Sequence, residues 1–540
     1  MSAQAATATA PAAGIPFRSK ILVVTAVLAS LLEIIDTSIV NVSIPTMMGN
    51  LGATLDEISW VVTGYIIANA IVLPISGWAS QQFGRKEFYT GCIALFTIAS
   101  VACGLAPNLA TLVVFRVIQG LAGGALLPTS QTLITEAFPR EKAGMANAIF
   151  GMSVMIGPTL GPTLGGYLTD NFGWRSIFNV NLPIGIAVGT LSFLFVEDMV
   201  RPAGAASPAA GAPAARKRTP VDWTGLALLI AGIGCLQAVL ERGHAEDWFD
   251  SGWIVTGAIV AVVSLALLVW WELRVEHPIL ELRLFRNTNF RYGVMLMAAL
   301  GALLYTLVFV IPVFTSTILD FTATQTGLLF IPGALMSAAM MPFIGSRLHR
   351  SDPRWFIFTG YAGLCVGIFL ISYWDAQTSV SGMFWPLLIR GGAMAYLFVP
   401  INTVVLSEFS GVAIGQAAGM LNLLRQIGGS VAIAGMSTIF QDLQVRDFAI
   451  LAAHVTPLDP AAAIAAHATA GAMGSKLQLS VGTGAATVAA TKLLYFRVFK
   501  QSFVLAFQRT LRLGALLPLL ALVPLSRMRR TQSRGPVSAH

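Results

Sequence analysis

Fourteen apolar stretches follow one another along this chain, at 21–47, 57–80, 88–106, 109–134, 143–168, 177–197, 223–242, 253–273, 291–316, 326–346, 355–374, 383–406, 415–441 and 503–526. Each is near the length of about 20 residues that an α-helix needs to cross the hydrocarbon of a bilayer. A helix satisfies its own backbone hydrogen bonds where no water is present, so these stretches are expected to be spanning helices, numbered 1 to 14 below. Only 11% of the 540 residues are charged and 56% are hydrophobic, whereas soluble domains carry about 25% charged residues. A water-facing globule cannot hide that much apolar surface. The expected fold class is an all-α polytopic membrane protein.

The basic residues orient the spans. With the N-terminus placed in the cytoplasm, 21 of the 33 Lys and Arg residues fall on inner segments: Arg18 and Lys20; Arg85 and Lys86; Arg140 and Lys142; Arg201 and Arg216–Arg218; then 274–291, 347–354 and 527–534. The short outer loops hold only Arg175 and Arg242. This asymmetry predicts a multi-pass protein of the cell (inner) membrane with both termini cytoplasmic. The net charge of +8 then reflects basic inner loops rather than nucleic-acid binding. No removable leader is expected before the first span.

An internal duplication is legible. AGMAN at 143–147 returns as AGMLN at 418–422, and PISGWASQQFGRKEFYTG at 74–91 is echoed by PFIGSRLHRSDPRWFIFTG at 342–360. The two offsets are nearly equal, so spans 1–6 map onto spans 9–14 and spans 7 and 8 read as an insertion. Internal repeats around a midplane site typify secondary transporters. The expected organisation is a cytoplasmic tail (1–20), an N-terminal six-helix bundle (21–200), a Pro/Ala-rich cytoplasmic linker (201–222), two inserted helices (223–273), a C-terminal six-helix bundle (274–526) and a basic cytoplasmic tail (527–540). Within the second bundle, 442–502 reads as a long, partly helical outer loop.

Several charges lie where charges are costly. Span 1 contains LLEIIDTSIVN, with Glu33 and Asp36 three residues apart and so on one helix face. Span 4 contains Arg116 with Gln119 one turn on, and spans 12 and 13 contain Arg390 and Arg425. A charge at mid-bilayer costs about 2.5–3.5 kcal/mol even on the most lenient scale. Such groups face one another or an aqueous cavity. A carboxylate is held charged by a nearby guanidinium, so a change of partner or of water access loads or releases a proton. Asp36, Glu33 and Arg116 are the candidate proton-coupling group, the plain alternative being a buried pair that fastens two helices. Glu33, Arg390 and Arg425 are also candidate substrate contacts, with Tyr65, Asn69, Gln119 and Tyr396 as candidate lining or ordinary packing.

Enzymatic readings find little support. The histidines and the four cysteines show no metal-ligand spacing, so neither a metal nor another cofactor is expected. There is no G-x-x-x-x-G-K-[ST] phosphate loop and no nucleophile-elbow pentapeptide. The free-energy source is therefore expected to be an ion gradient or the substrate's own.

These motifs resemble the major facilitator superfamily, and more narrowly its fourteen-span drug:proton antiporters of the EmrB/QacA type. The resemblance rests on LLEIIDTSIVNVSIP (31–45), RVIQGLAGG (116–124), GPTLGPTLGG (157–166), WRSIFNVNLPIG (174–185) and LNLLRQIGGSVAIA (421–434), five motifs in order. It implies two six-helix bundles plus two inserted helices. It implies, too, an antiporter motif at Gly157, Pro158, Gly161, Pro162, Gly165 and Gly166, and an inner-loop gate at Gly77, Gly84, Arg85 and Lys86. One departure stands out: in GWASQQFGRK (77–86), Gln81 occupies the place of the family's acidic residue. The usual charge latch cannot form there, and locking is expected from turn geometry and from Arg85 and Lys86 at helix C-termini.

The function implied is proton-coupled multidrug efflux: an amphipathic substrate leaves and a proton enters as two bundles rock about a midplane cavity. In a double-membrane bacterium the resemblance also implies a periplasmic EmrA-like adaptor and a TolC-like outer-membrane channel, with 442–502 as a docking surface. A proton-coupled importer, or an exporter of one metabolite or fatty acid, uses the same architecture; a transport-inactive sensor or assembly subunit leaves the charged cluster unexplained. Exporter is preferred over importer because the resemblance ties GPTLGPTLGG to exporters. Gly157, Gly161 and Gly165 recur every fourth residue as a bare stripe that admits a partner helix. By resemblance that partner is span 10.

Overall fold

A computed structural model describes residues 16–197, 220–453 and 483–529. The tails at 1–15 and 530–540, the expected linker as far as residue 219, and the middle of the expected outer loop (454–482) lie outside the described residues. Every regular element described is a helix, and fourteen are long and apolar enough to span.

The spans are Phe17–Leu51, Leu55–Phe83, Arg85–Leu105, Leu109–Ala137, Ala143–Phe172, Ser176–Phe195, Trp223–Arg242, Gly252–Glu272, Thr288–Ile318, Thr324–Arg347, Pro353–Ile371, Val380–Leu406, Ala413–Ala453 and Leu494–Arg527. They keep the numbers 1 to 14. One end of the molecule gathers Arg85, Lys142, Arg347 and Arg350 and is called the basic end.

Local chemistry sets the helix limits. Span 2 begins at a reciprocal cap in which Glu57 N–H donates to Thr54 Oγ1 and Thr54 N–H donates to Glu57 Oε2 at 2.8 Å. The start of span 10 repeats the device with Thr322 and Gln325. Each such cap satisfies two amide donors that the first turn leaves free. The two caps stand 268 residues apart, the spacing of the sequence duplication. Between spans 2 and 3 the chain turns at Gly84, whose φ of 92° disfavours any side chain. Span 4 breaks near its middle, with helix from Leu109 to Gly123 and again from Leu126 to Ala137. There Gly123 and Gly124 press against Tyr65, Phe96 and the Asn69 carbonyl.

Span 5 runs unbroken from Ala143 to Phe172 with both Pro158 and Pro162 inside it. Neighbouring helices hold a proline-bearing helix together in a membrane protein better than water does. Spans 7 and 8 pack as a pair, Gly232 lying on Leu265. Span 7 leans on spans 2 and 13, where Glu241 accepts from Ser430 Oγ at 3.0 Å and Trp248 Nε1 donates to Thr438 at 3.0 Å.

The segment expected as an outer loop differs most from expectation. Helix continues from Val412 to Ala453 and resumes from Thr483 to Gly514. At 1.5 Å per residue the first is about 63 Å long, twice a hydrocarbon core. Phe440 meets Phe503 at 4.8 Å and Phe448 meets Tyr495 at 5.3 Å, and Asp447 pairs with Arg509. Residues 442–453 and 483–502 are thus helical, continuous with spans 13 and 14, and the two helices pair where Phe448 meets Tyr495. Apolar–polar composition alone marked them as loop, because a helix pair outside the lipid needs only one apolar stripe.

The two bundles meet along two seams, span 2 against span 13 and span 5 against span 10. At the basic end both seams close backbone to backbone. A Cβ on Gly77 would stand 2.6 Å from the Gln416 amide nitrogen, and one on Gly144 would stand 2.5 Å from the Gly345 carbonyl oxygen.

Candidate transport site

The charged cluster of span 1 lies in the core of the first bundle. Asp36 is fully buried and accepts three hydrogen bonds: Arg116 Nη1 at 2.6 Å on Oδ2, and Gln119 Nε2 at 2.9 Å and Asn181 Nδ2 at 2.8 Å on Oδ1. Arg116, equally buried, also donates from Nε to the Val61 carbonyl at 3.0 Å and from Nη1 to Gln119 Oε1 at 2.9 Å. Its guanidinium sits 4.2 Å from the Tyr65 ring centre. Asn181 donates again to Ser100 Oγ, which donates to the Phe178 carbonyl. Spans 1, 2, 3, 4 and 6 are tied through one ion pair. Such pairs hold when their remaining lone pairs and protons are satisfied, as Asp36 is here.

Glu33 is placed differently. It is 4% exposed; Oε1 accepts from Asn69 Nδ2 at 3.0 Å, and Oε2 is buried with no hydrogen-bond partner among the described residues. Arg425, across the seam on span 13, is the cation whose field acts most on it. Arg425 and Arg390 form no ion pair among the described residues; Arg425 faces the Phe398 ring at 5.9 Å and Arg390 the Phe330 ring at 5.3 Å.

The structure therefore brings Glu33, Asp36, Tyr65, Asn69, Arg116 and Gln119 together, with Arg425 opposite. Gln119 spends its amide on Asp36 and Arg116, and Tyr65 lies beneath Arg116. Both are in contact with the ion pair. Tyr396 stacks on Phe356 of span 11 at 5.9 Å. Asn181 and Ser100 had no assigned role at the level of sequence; Asn181 lies within the quoted NVNLPIG stretch, which was the available signal.

The glycine stripe has another partner than expected. A Cβ on Gly157 would strike Ile34, one on Gly161 would strike Ser38, and one on Gly165 would come within 2.7 Å of Ile39. All three contacts are on span 1, inside the same bundle. Span 10 is met by the neighbouring face, through Gly166 against Thr324 and Thr163 against Gly327. The stripe sets how closely span 5 approaches the helix that bears Glu33 and Asp36.

The gate residues also differ from expectation. Arg85 and Lys86 open span 3, at a helix N-terminus whose dipole repels cations. What holds Arg85 is Glu136 at the end of span 4, gripped at 2.6 and 3.0 Å. Lys86 lies over Phe193 at 4.6 Å. Gln81 turns back to its own helix and donates to the Gly77 carbonyl.

Across the bundles the basic end is joined by amides. Gln131 on span 4 donates to Asn402 Oδ1 at 2.6 Å and accepts from Asn422 Nδ2 at 2.9 Å; Asn147 on span 5 donates to Thr403 Oγ1 at 3.3 Å. Asn147 and Asn422 are the matching asparagines of AGMAN and AGMLN. The duplication thus supplies two related bonds across the interface, span 5 to span 12 and span 13 to span 4.

Comparison with known proteins fits this architecture. The family profile described as Major Facilitator Superfamily matches residues 26–433. The chain is 34% identical over 432 residues to the fatty acid resistance protein FarB of Neisseria gonorrhoeae, covering 80% of this chain and 82% of FarB. It is 35% identical over 441 residues to the multidrug export protein EmrB of Escherichia coli K12, with the same coverage. The solved structure of the proton:xylose symporter XylE superposes with a TM-score of 0.55 at 16% identity, over 78% of this chain and 89% of XylE.

Proposed function

The chain belongs to the Major Facilitator Superfamily, among the relatives of EmrB, and on that footing we propose that it exports amphipathic compounds in exchange for protons. The observation that carries this reading is the pair of buried carboxyls on span 1, one of them bordering a seam between bundles that can open. Rocking of the bundles exposes the midplane to one side at a time, and binding of substrate and proton at that site couples the two movements.

The basic end is the cytoplasmic end in this proposal, by the excess of Lys and Arg there. Both termini are then cytoplasmic, and the paired extensions 442–453 and 483–502 project outward. In a double-membrane cell that projection is the natural seat for a periplasmic adaptor linked to an outer-membrane channel. The work of the protein is translocation, with no bond made or broken in the substrate.

A second reading, export of a fatty acid or another organic anion, is favoured by one observation: Arg390 lies in the second bundle with no acidic partner among the described residues. Everted membrane vesicles distinguish the two. Ethidium and laurate are offered with and without an imposed pH gradient. Uptake of either, driven by an acid interior, supports proton-coupled export and identifies the substrate charge. Uptake indifferent to the gradient overturns the antiport reading.

A further inference from the structure

Spans 7 and 8 belong to neither half of the duplication, yet neighbouring residues where span 7 ends, away from the basic end, reach both bundles. Arg242 reaches the first. It is buried; Nη1 donates to Ser59 Oγ at 2.5 Å and to the Asp56 carbonyl at 3.3 Å, and Nη2 lies 3.4 Å from Asp56 Oδ1. Its guanidinium stands 5.5 Å from the Trp60 ring centre. Two turns back along the helix, Gly234 lies against Ile67 and Ile71. All of these partners are on span 2.

The second bundle is held by two side-chain hydrogen bonds among the described residues, both to hydroxyls of span 13. Ser430 Oγ donates to Glu241, and Trp248 Nε1 donates to Thr438 Oγ1. The turn that delivers Trp248 is strained. Asp247 and Trp248 have φ of 53° and 52°, a region that bulky side chains rarely enter. The Trp248 ring folds back over Gly243, where a Cβ would stand 2.5 Å from it. Strain of this kind persists only where surrounding contacts impose it. Charge-assisted hydrogen bonds are about twice as strong as neutral ones, so the grip of Arg242 on span 2 outlasts the bond between Trp248 and Thr438.

Resting on the alternating-access part of the reading above, we propose that spans 7 and 8 travel with the first bundle, and that Glu241 and Trp248 form a catch on span 13 that lets go when the outer end opens. Release lets the turn at Asp247 and Trp248 relax, which offsets part of the two lost bonds. Opening at the basic end leaves the catch shut, because the contacts that part there, Gly77 on Gln416 and Gly144 on Gly345, lie at the opposite end. The two ends then close by different means. Backbone packed on backbone shuts the basic end. At the outer end the seam between spans 2 and 13 is bridged by side chains of a third helix, which swing free without moving any backbone out of the way.

The full chain in lipid nanodiscs, with Cys92, Cys103, Cys235 and Cys365 replaced, is spin-labelled at the exposed Phe249→Cys together with either Gln441→Cys on span 13 or Leu55→Cys on span 2. The 249–441 pair is expected to give a short and a long distance, and the 249–55 pair a single one. Thr438→Val should raise the ratio of long to short about fivefold, and Thr438→Val with Ser430→Ala about 30-fold, the size of one and two ordinary hydrogen bonds. Trp248→Phe removes the same bond from the other side and should match Thr438→Val, and the two changes together should do no more than either alone. An unchanged ratio in monodisperse Thr438→Val and Trp248→Phe protein overturns the catch, and so does additivity of the two. A 249–55 distance that varies while the 249–441 distance stays fixed puts spans 7 and 8 with the second bundle and overturns the assignment. Ethidium uptake into everted vesicles that ignores a pH gradient defeats the antiport reading instead, a result distinct from these.

Discussion

Adding one methyl group at Gly144 should shift the conformational balance of the whole protein. A Cβ there stands 2.5 Å from the Gly345 carbonyl oxygen, and the converse, a Cβ on Gly345, stands 2.6 Å from the Gly144 carbonyl oxygen. Both obstacles are backbone, so no side chain can swing aside. Ordinary contact begins near 3.4 Å, and spans 5 and 10 must therefore part by about 0.9 Å at the basic end. Overpacking of this kind costs about 1–3 kcal/mol, equivalent to a shift of about 5- to 150-fold in a two-state ratio. The gain in helix propensity from glycine to alanine applies to both states and cancels in that ratio. Spin labels at Glu141→Cys and Arg350→Cys, with Cys92, Cys103, Cys235 and Cys365 replaced, report the opening at the basic end. Gly144→Ala should move the distance distribution towards longer values. Gly91→Ala, where a Cβ meets nothing within 4 Å, should leave it unchanged. If the Gly144→Ala distribution superposes on the parent, or if Gly91→Ala shifts it equally, close backbone packing does not control this gate.

Three further outcomes are expected. Arg116→Met strands a buried Asp36 and should lower stability by about 3–5 kcal/mol, whereas Asp36→Asn combined with Arg116→Met should cost less than the two single changes added; melting of purified protein in detergent measures this, and simple additivity would refute the pairing. Gly161→Leu drives its side chain into Ser38 of span 1, so the yield of monodisperse protein on size exclusion should collapse; Gly166→Leu presses on Thr324 of span 10 instead and should spare yield while slowing transport. Glu136→Gln frees the buried Arg85 and should slow export in everted vesicles, with Arg85→Glu/Glu136→Arg recovering part of the rate; no recovery would show that Arg85 matters for some other contact.

The span count, the six-plus-two-plus-six order and the family were legible in the sequence, because lipid imposes a length and a polarity that local composition must obey. The duplication was legible for a related reason: each half must cap, turn and cross in the same order, so Thr54 and Thr322, or Asn147 and Asn422, keep their places. Asp36 and Arg116 were found because a charge in an apolar run is conspicuous.

Tertiary structure decided the partners. Which helix faces the Gly157–Gly161–Gly165 stripe depends on how span 5 is rotated in its bundle, and periodicity defines a stripe without naming its neighbour; span 1, not span 10, lies there. Span 3 begins directly after Gly84, so Arg85 falls at a helix start and needs Glu136, 51 residues further along. Asp36 and Glu33 look alike in LLEIIDTSIVN. Only packing gave one of them three donors and left the other with a bare oxygen beside the seam between the bundles.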